Sequence, residues 1–290
     1  MEINGNTRVC GLIGNPVEHT QSPVIHNMLA EELDINMTYV PFLVGGGQLE
    51  AAVKGAFGLN ILGMNVTVPY KHDVMAYLDD IDGLARKIGA VNTLVRTDKG
   101  YKGYNTDITG LLRAMNSDGV SIKDEEVVIL GAGGVGRAVT FMCAANGARK
   151  VYLLNRNAGK AEAVAAEGNK ELATDCVTAM AISDYRKILA GSEKRYIVIQ
   201  CTSVGLSPNV DDVVIDDSDF YRYVRHGYDL IYSPRETKFM KLVKANGGMA
   251  YNGLKMLLYQ GIDAFELWNS RKISDEYADK VYKKLCEKFV

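Results

Sequence analysis

The sequence predicts an α/β protein of two domains, and three observations carry that prediction. Short, continuous apolar runs such as RVCGLIG, EVVIL and YIVIQ read as parallel strands buried on both faces. Amphipathic helical patterns alternate with them, as SPVIHNMLAEEL follows RVCGLIG, which is the order that builds βαβ units. The chain of 290 residues is also long enough for two domains, each with its own core.

Taken in order, RVCGLIG is a strand, and SPVIHNMLAEEL is a helix with Ser22 as N-cap and Pro23 at its first position. MTYVPFLV reads as strand, LEAAVKGAF as helix and ILGMNVTV as strand, after which DVMAYLDD opens an amphipathic run. AVNTLVRTDKGYKGYN reads as a hairpin turning at Asp98-Lys99-Gly100. From Asp107 the segment ITGLLRAMN is helical and leads to a new unit. That unit opens with EVVIL, passes through a glycine-rich turn and a helix to Ala145, and enters VYLLN. Further strands are expected at CVTAM, YIVIQ and YDLIY, and two helices, GLKMLLYQGIDAFELW and ISDEYADKVYKKLCEKF, close the sequence. The domain changes are expected near Asp107 and Asn252. Residues 1–106 and 252–290 then form one domain and 107–251 the other, with the terminal helices returning to the first.

Composition excludes several function classes. Hydrophobic residues at 47% and charged residues at 23% give the balance of a soluble globular protein. A formal net charge of −2 offers no electrostatic footprint for nucleic acid or an anionic membrane. No apolar run approaches a membrane span, and the start, MEINGNTRVCGLIG, is not read as a signal peptide. Five cysteines without a CxxC pair point to packed, reduced thiols and a cytoplasmic setting. His19, His26 and His72 are not arranged as metal ligands, so no metal site is expected.

The stretch VVILGAGGVGRAV carries G-x-G-x-x-G at Gly131, Gly133 and Gly136, directly after a strand, opening a helix and followed by a second strand. In that context Gly131 permits the tight turn, Gly133 lets the backbone approach a pyrophosphate, and Gly136 lets helix and sheet pack closely. The diphosphate then meets the free N–H groups of a helix N-terminus. At the end of the second strand an NAD site would carry Asp or Glu for the ribose 2′-hydroxyl. This chain has Asn155, Arg156 and Asn157, then Lys160, with no carboxylate before Glu162. An arginine fork pairs with phosphate, so NADP is favoured over NAD.

NVTVPYK, residues 65–71, sets Lys71 just past the end of a buried-looking strand. An ordinary lysine is solvated, but at the first turn of a helix a cation opposes the dipole. With GNPVEHTQSPVIHN, GAVNTLV and GYNTDITG, this motif resembles the substrate-domain motifs of the shikimate dehydrogenase family, in order. GAGGVGRA, NRN, CTSVGL, DLIYSPRET and GLKMLLYQ resemble its cofactor domain and C-terminal return, so the likeness covers nearly the whole chain.

The resemblance implies a substrate domain followed by a Rossmann dinucleotide-binding domain, and NADP-dependent interconversion of shikimate and 3-dehydroshikimate. Lys71 matches the family's catalytic lysine and Asp107, in GYNTD, the aspartate that works with it. Oxidising a secondary alcohol requires removal of the hydroxyl proton as hydride leaves the same carbon. Lysine could serve as the base if its neutral form were made accessible, or as an ammonium that donates and orients. Asp107 is also suited to capping a helix. By the same resemblance Thr20 and Ser22 hold the substrate carboxylate, Asn65, Thr67, Asn92 and Gln260 bind ring hydroxyls, and Tyr232 lines the carboxylate end. Ala132, Gly134, Thr202 and Gly253 join the cofactor site. Two departures stand out: Thr20 where the family usually has serine, and Leu206 where it usually has methionine. A quinate/shikimate dehydrogenase of broader range and a non-catalytic nucleotide-binding regulator are the alternatives. A monomer or a homodimer is expected.

Overall fold

The computed structural model describes residues 2–189 and 194–288. The chain divides into two compact units, one made of residues up to Leu111 together with Leu257–Lys288, the other of Leu112–Met256.

The first unit is built on β1 (Arg8–Gly14), α1 (Ser22–Glu32), β2 (Met37–Leu43), α2 (Leu49–Gly58), β3 (Gly63–Val66), β4 (Asp80–Ile81), α3 (Gly83–Ile88), β5 (Thr93–Arg96) and β6 (Tyr101–Tyr104). The helix α4 (Thr106–Ser117) starts there. The strands form a six-stranded sheet in the order β2-β1-β3-β5-β6-β4. The β1 strand pairs in parallel with both β2 and β3, whereas β3, β5 and β6 run antiparallel to one another in succession. The β5–β6 pair is the hairpin expected at Asp98-Lys99-Gly100. The sheet's central positions are the most deeply buried: Cys10, Leu12 and Ile13 of β1 and Met64 and Val66 of β3 are nearly inaccessible.

The second unit contains β7 (Glu126–Leu130), α5 (Gly134–Ala145), β8 (Lys150–Asn155), α6 (Ala158–Leu172), β9 (Val177–Ala181), α7 (Arg186–Leu189), β10 (Tyr196–Gln200), α8 (Ser218–Tyr221), β11 (Val224–Asp229), α9 (Lys238–Ala245) and β12 (Met249–Tyr251). All neighbouring pairs are parallel, in the order β12-β11-β10-β7-β8-β9. Numbered within the unit from the other edge, this is 3-2-1-4-5-6, the doubly wound dinucleotide-binding order. The order reverses between β7 and β10, and the carboxyl ends at such a switch point are where ligands bind.

Two helices complete the chain, α10 (Leu254–Asn269) and α11 (Asp275–Lys288). Trp268 of α10 lies over Gly63 of β3, where a Cβ would stand 2.0 Å from the indole nitrogen. That nitrogen donates to the carbonyl of Leu94 in β5 at 2.9 Å. The buried indole therefore has its polar atom satisfied, and only glycine leaves room for it on the strand. Among the described residues no helix is long and apolar enough to cross a membrane.

Four local expectations are corrected. Gln21, not Ser22, caps α1, and without a side-chain bond; Ser22 is the first helical residue and its hydroxyl is engaged with Thr20. Asp107 lies inside the first turn of α4, after Thr106, and does not cap it. DVMAYLDD gives only a 3-10 turn over Asp73–Tyr77, since Asp80 and Ile81 are drawn into pairing with Lys102 and Gly103. The strand sought at YDLIY is Val224–Asp229, because its register with β10 ends at Gln200 opposite Asp229.

Candidate active site

The β3 strand ends at Val66, and the chain then turns through Thr67–Lys71 in a loop held from three sides. The N–H of Thr67 donates to Ile13 at 3.0 Å, that of Tyr70 to Thr67 at 3.0 Å, and that of Val91 to the carbonyl of Lys71 at 2.8 Å. The phenol of Tyr70 is buried and donates to Val44 at 2.7 Å. This loop aims Lys71 at α4. Its Nζ stands 2.6 Å from Oδ2 of Asp107, with the two side chains 31% and 24% exposed. The pair is thus sheltered yet open enough for a substrate to reach. The first turn of α4 is a place where the helix dipole favours a negative charge.

The amides around this pair are oriented by the fold. Oδ1 of Asn92 is approached only by donors: the N–H of Thr106 at 2.7 Å, the hydroxyl of Thr93 at 3.0 Å and that of Thr106 at 3.2 Å. An oxygen must occupy that position, so Nδ2 faces the other way, and it has no acceptor among the described residues. Asn65 accepts from the phenol of Tyr39 at 2.8 Å. It donates to the carbonyl of Asn92 at 3.2 Å and to the hydroxyl of Thr93 at 3.0 Å. Both its amide protons are spent within the protein. Gln260, in α10, donates to Leu257 at 2.8 Å, and its Oε1 has no donor among the described residues. The hydroxyl of Thr67 is likewise without a bond there, and its methyl lies against Gly14. Thr20 donates to the hydroxyl of Ser22 at 3.2 Å at the start of α1.

Of the residues expected to bind substrate, these six belong to the first unit, and Tyr232 belongs to the second. Burial pushes the Tyr232 phenol up. His26 is fully buried and stacks on Tyr39 with ring centroids 4.3 Å apart. Burial holds its pKa down to about 3, so it is a neutral packing group. His19 and His72 are exposed, and no cluster of metal-ligating side chains occurs among the described residues. Sequence reasoning gave no role to Tyr39, Thr93 or Thr106; the last two sit inside quoted motifs, but only the pairing of β5 with β3 and β6 discloses what they hold.

In the second unit the glycine turn follows β7. Gly131 has φ +105°, a left-handed conformation open to glycine, and its N–H donates to Leu154 at 2.7 Å. A Cβ on Gly136 would lie 1.9 Å from the carbonyl oxygen of Gly131, so the helix can approach the turn only without a side chain. Gly133 and Gly134 face open space, and Gly133 caps α5 without a side-chain bond. The first N–H groups of the helix are therefore offered outward, as an anion requires. Asn155 at the end of β8 accepts from the N–H of Ala132 at 3.2 Å and donates to Asn157 at 3.0 Å, tying the turn to the second strand. Asn157 caps α6 by accepting from the N–H of Lys160 at 3.1 Å. Arg156 and Lys160 are exposed, and neither side chain has an acidic partner among the described residues. A cradle that a Cβ would fill, outward N–H groups and two unengaged cations fit a dinucleotide with a 2′-phosphate.

Two further loops close on the switch point. Thr202, after β10, packs its methyl against Gly131, where a Cβ would be 2.6 Å away. Gln200 holds this loop, accepting from the N–H of Thr202 at 2.5 Å and donating to Val204 at 3.1 Å. Gln200 also donates to Asp229 at 3.3 Å, and the Asp229 carboxyl accepts from the N–H of Ile231 at 3.1 Å and the hydroxyl of Thr237 at 2.6 Å. The N–H of Gly253 donates to Ile231 at 3.0 Å. The segments carrying Thr202, Tyr232 and Gly253 thus share one buried polar anchor.

A family model described as the shikimate dehydrogenase substrate binding domain matches residues 12–94, and one described as shikimate / quinate 5-dehydrogenase matches residues 113–208. The shikimate dehydrogenase (NADP(+)) of Desulforamulus reducens is 42% identical over 269 residues, 92% of this chain and 91% of that protein. A crystal structure of shikimate 5-dehydrogenase from Listeria monocytogenes, in complex with shikimate and NAD, superposes with a TM-score of 0.89 at 31% identity, covering 97% of this chain and 98% of the other. A shikimate dehydrogenase in complex with NADP+ superposes at 0.87 with 37% identity over 98% and 97% of the two chains.

Proposed function

The chain belongs to the shikimate dehydrogenase family, and from that premise we propose that Lys71 and Asp107 carry the proton in its reaction. The activity is the reversible, NADP-dependent reduction of 3-dehydroshikimate to shikimate, an oxidoreductase step at a CH–OH group on the way to aromatic amino acids. The observation that carries the proposal is the 2.6 Å contact between Nζ of Lys71 and Oδ2 of Asp107 in a half-sheltered site.

Reduced NADP, held by the Gly131–Gly136 turn and Arg156, would supply the hydride for the carbonyl carbon. In the same step the Lys71 ammonium donates a proton to the carbonyl oxygen, and in the reverse direction the amine recovers it. Asp107 holds the Lys71 side chain in place through the 2.6 Å contact. The outward Nδ2 of Asn92 donates to a ring hydroxyl, while the unpaired Oε1 of Gln260 and the free hydroxyl of Thr67 take further hydroxyls. Asn65, with its amide protons committed, contributes only a lone pair of Oδ1. Thr20 and Ser22 present hydroxyls to the substrate carboxylate. A site of such groups rejects analogues that leave them unpaired.

For the cofactor, Gly131–Gly136 receive the diphosphate, with Ala132 held by Asn155. Arg156, aided by Asn157 and Lys160, takes the 2′-phosphate, and Thr202 and Gly253 flank the switch point. The first unit is the substrate-binding domain and the second the NADP-binding domain. The five free cysteines support a reducing, cytoplasmic setting. Initial rates with shikimate and quinate, each against NADP and NAD, test the assignment. Shikimate with NADP should give the highest specificity constant, and a higher one for quinate or for NAD would overturn it.

A further inference from the structure

We infer that Thr93 is a positioning residue for substrate binding, a hydroxyl hub that sets the two amides Asn65 and Asn92 together. The inference rests on the reading of Asn92 as a substrate ligand and extends it to a residue that touches no substrate.

Thr93 opens β5 and lies between β3 and β6, opposite Asn65 on one side and Tyr104 on the other. It is wholly inaccessible, and Asn65, Asn92 and Thr106 around it are at most 4% exposed. Its hydroxyl has one proton and two lone pairs to place. One lone pair accepts from Nδ2 of Asn65 at 3.0 Å. The other partners are Oδ1 of Asn92 at 3.0 Å and the hydroxyl of Thr106 at 2.9 Å. Two proton arrangements satisfy the cluster. Thr93 donates to Asn92 directly, or it donates to Thr106, which then donates to Asn92. Both place a donor against Oδ1 of Asn92, and both leave Nδ2 pointing out of the cluster.

Thr106 closes the ring from the start of α4, so the residue directly before Asp107 is fixed by the same oxygen of Asn92 that the hub fixes. An ordinary buried strand threonine would need one acceptor for its proton. This one connects the amide of Asn65 in β3 and that of Asn92, just before β5, with a helix N-terminus, which is more than strand pairing requires. A satisfied network of this kind fixes one arrangement of its amides, and loses it when one member is removed.

The test is steady-state kinetics on Thr93→Val, Thr93→Ser and Asn92→Ala in the full chain. Valine keeps shape and strand preference but removes the hydroxyl, leaving one amide proton of Asn65 without an acceptor. The expected result is a rise in KM for shikimate of about five- to thirtyfold, with KM for NADP unchanged, and recovery to within about threefold of the parent in Thr93→Ser. Asn92→Ala should raise the same KM. If Asn92→Ala does so and Thr93→Val does not, Thr93 is merely structural and the inference is overturned. If Asn92→Ala leaves KM unchanged, the substrate reading of Asn92 fails and the inference falls with it. Should Thr93→Val not fold, Thr93→Ala removes the same hydroxyl in a smaller side chain, and an unchanged KM for shikimate there overturns the inference equally.

Discussion

The main-chain N–H of Val91 donates to the carbonyl of Lys71 at 2.8 Å, fixing the backbone of the lysine independently of its side chain. Removing that side chain should therefore leave the loop in place. Lys71→Ala is expected to lower kcat by ~10²–10⁴, the usual worth of a positioned acid–base group. The KM for shikimate should move far less, because Asn92, Thr67 and Gln260 remain. Asp107→Asn should behave similarly, and the double variant should cost much less than the sum of the two. Assays at saturating shikimate and NADP decide the matter, and turnover within about threefold of the parent would remove Lys71 from the chemical step.

Arg156 is exposed at the end of β8 with no acidic partner among the described residues, so its substitution disturbs no ion pair of the fold. Arg156→Ala should weaken NADP by about 1.5–3 kcal/mol, the worth of one charge-assisted contact, and leave NAD nearly unaffected. The ratio of the two KM values reads this directly. Parallel losses for both cofactors would show that the guanidinium does not meet the 2′-phosphate.

Thr20→Ser keeps the hydroxyl that donates to Ser22 at 3.2 Å and removes only a methyl group. Quinate carries an extra hydroxyl on the carbon that bears the carboxylate, so a wider pocket should favour it. The specificity ratio of shikimate over quinate is expected to fall about threefold or more in the serine variant, within the worth of one methyl group in a binding pocket. An unchanged ratio would return Thr20 to the role of an ordinary loop hydroxyl.

Burial raises the Asp229 carboxyl from 3.8 to about 6, opposed by its bonds to Thr237, Ile231 and Gln200. Its folded pKa lies above the unfolded one, so the native state holds a proton that the unfolded chain has already lost. The contribution of Asp229 to stability is full below pH 3.8, declines as pH rises, and is gone above about 6. Asp229→Asn abolishes this component. Melting temperatures of parent and variant across that window should converge at the acid end and separate toward neutrality, with the variant the more stable there. Parallel curves would show that the group does not titrate within the fold.

Local signals in the sequence foretold the second unit well. The glycine fingerprint, its flanking strands and the Asn-Arg-Asn cluster lie within one βαβ span, so their spacing alone carries the argument. The pairing of Lys71 with Asp107 spans 36 residues, and only the resemblance connected them. The strand at Val224–Asp229 was misplaced because Arg225 and His226 make its first half look unlike a strand, while Leu230 and Ile231 extend the apolar run past the last paired residue. Thr93 was overlooked for a different reason. A threonine beside an asparagine at a strand start is common, and what distinguishes this one is the company supplied by β3 and α4.

The indole of Trp268 over Gly63 bears on how the molecule is made. Residues 112–256 have all left the ribosome before α10 is complete, so the parallel sheet of the second unit has every strand it needs while the first sheet still lacks its cover. The unit that contains the start of the chain is thus the later of the two to be finished. That order inverts the N-terminal-first sequence usual in synthesis. Between the emergence of β3 and that of α10, the strand at Gly63 stays uncovered on the nascent chain, and it waits 205 residues, the separation of positions 63 and 268, for the indole that packs on it.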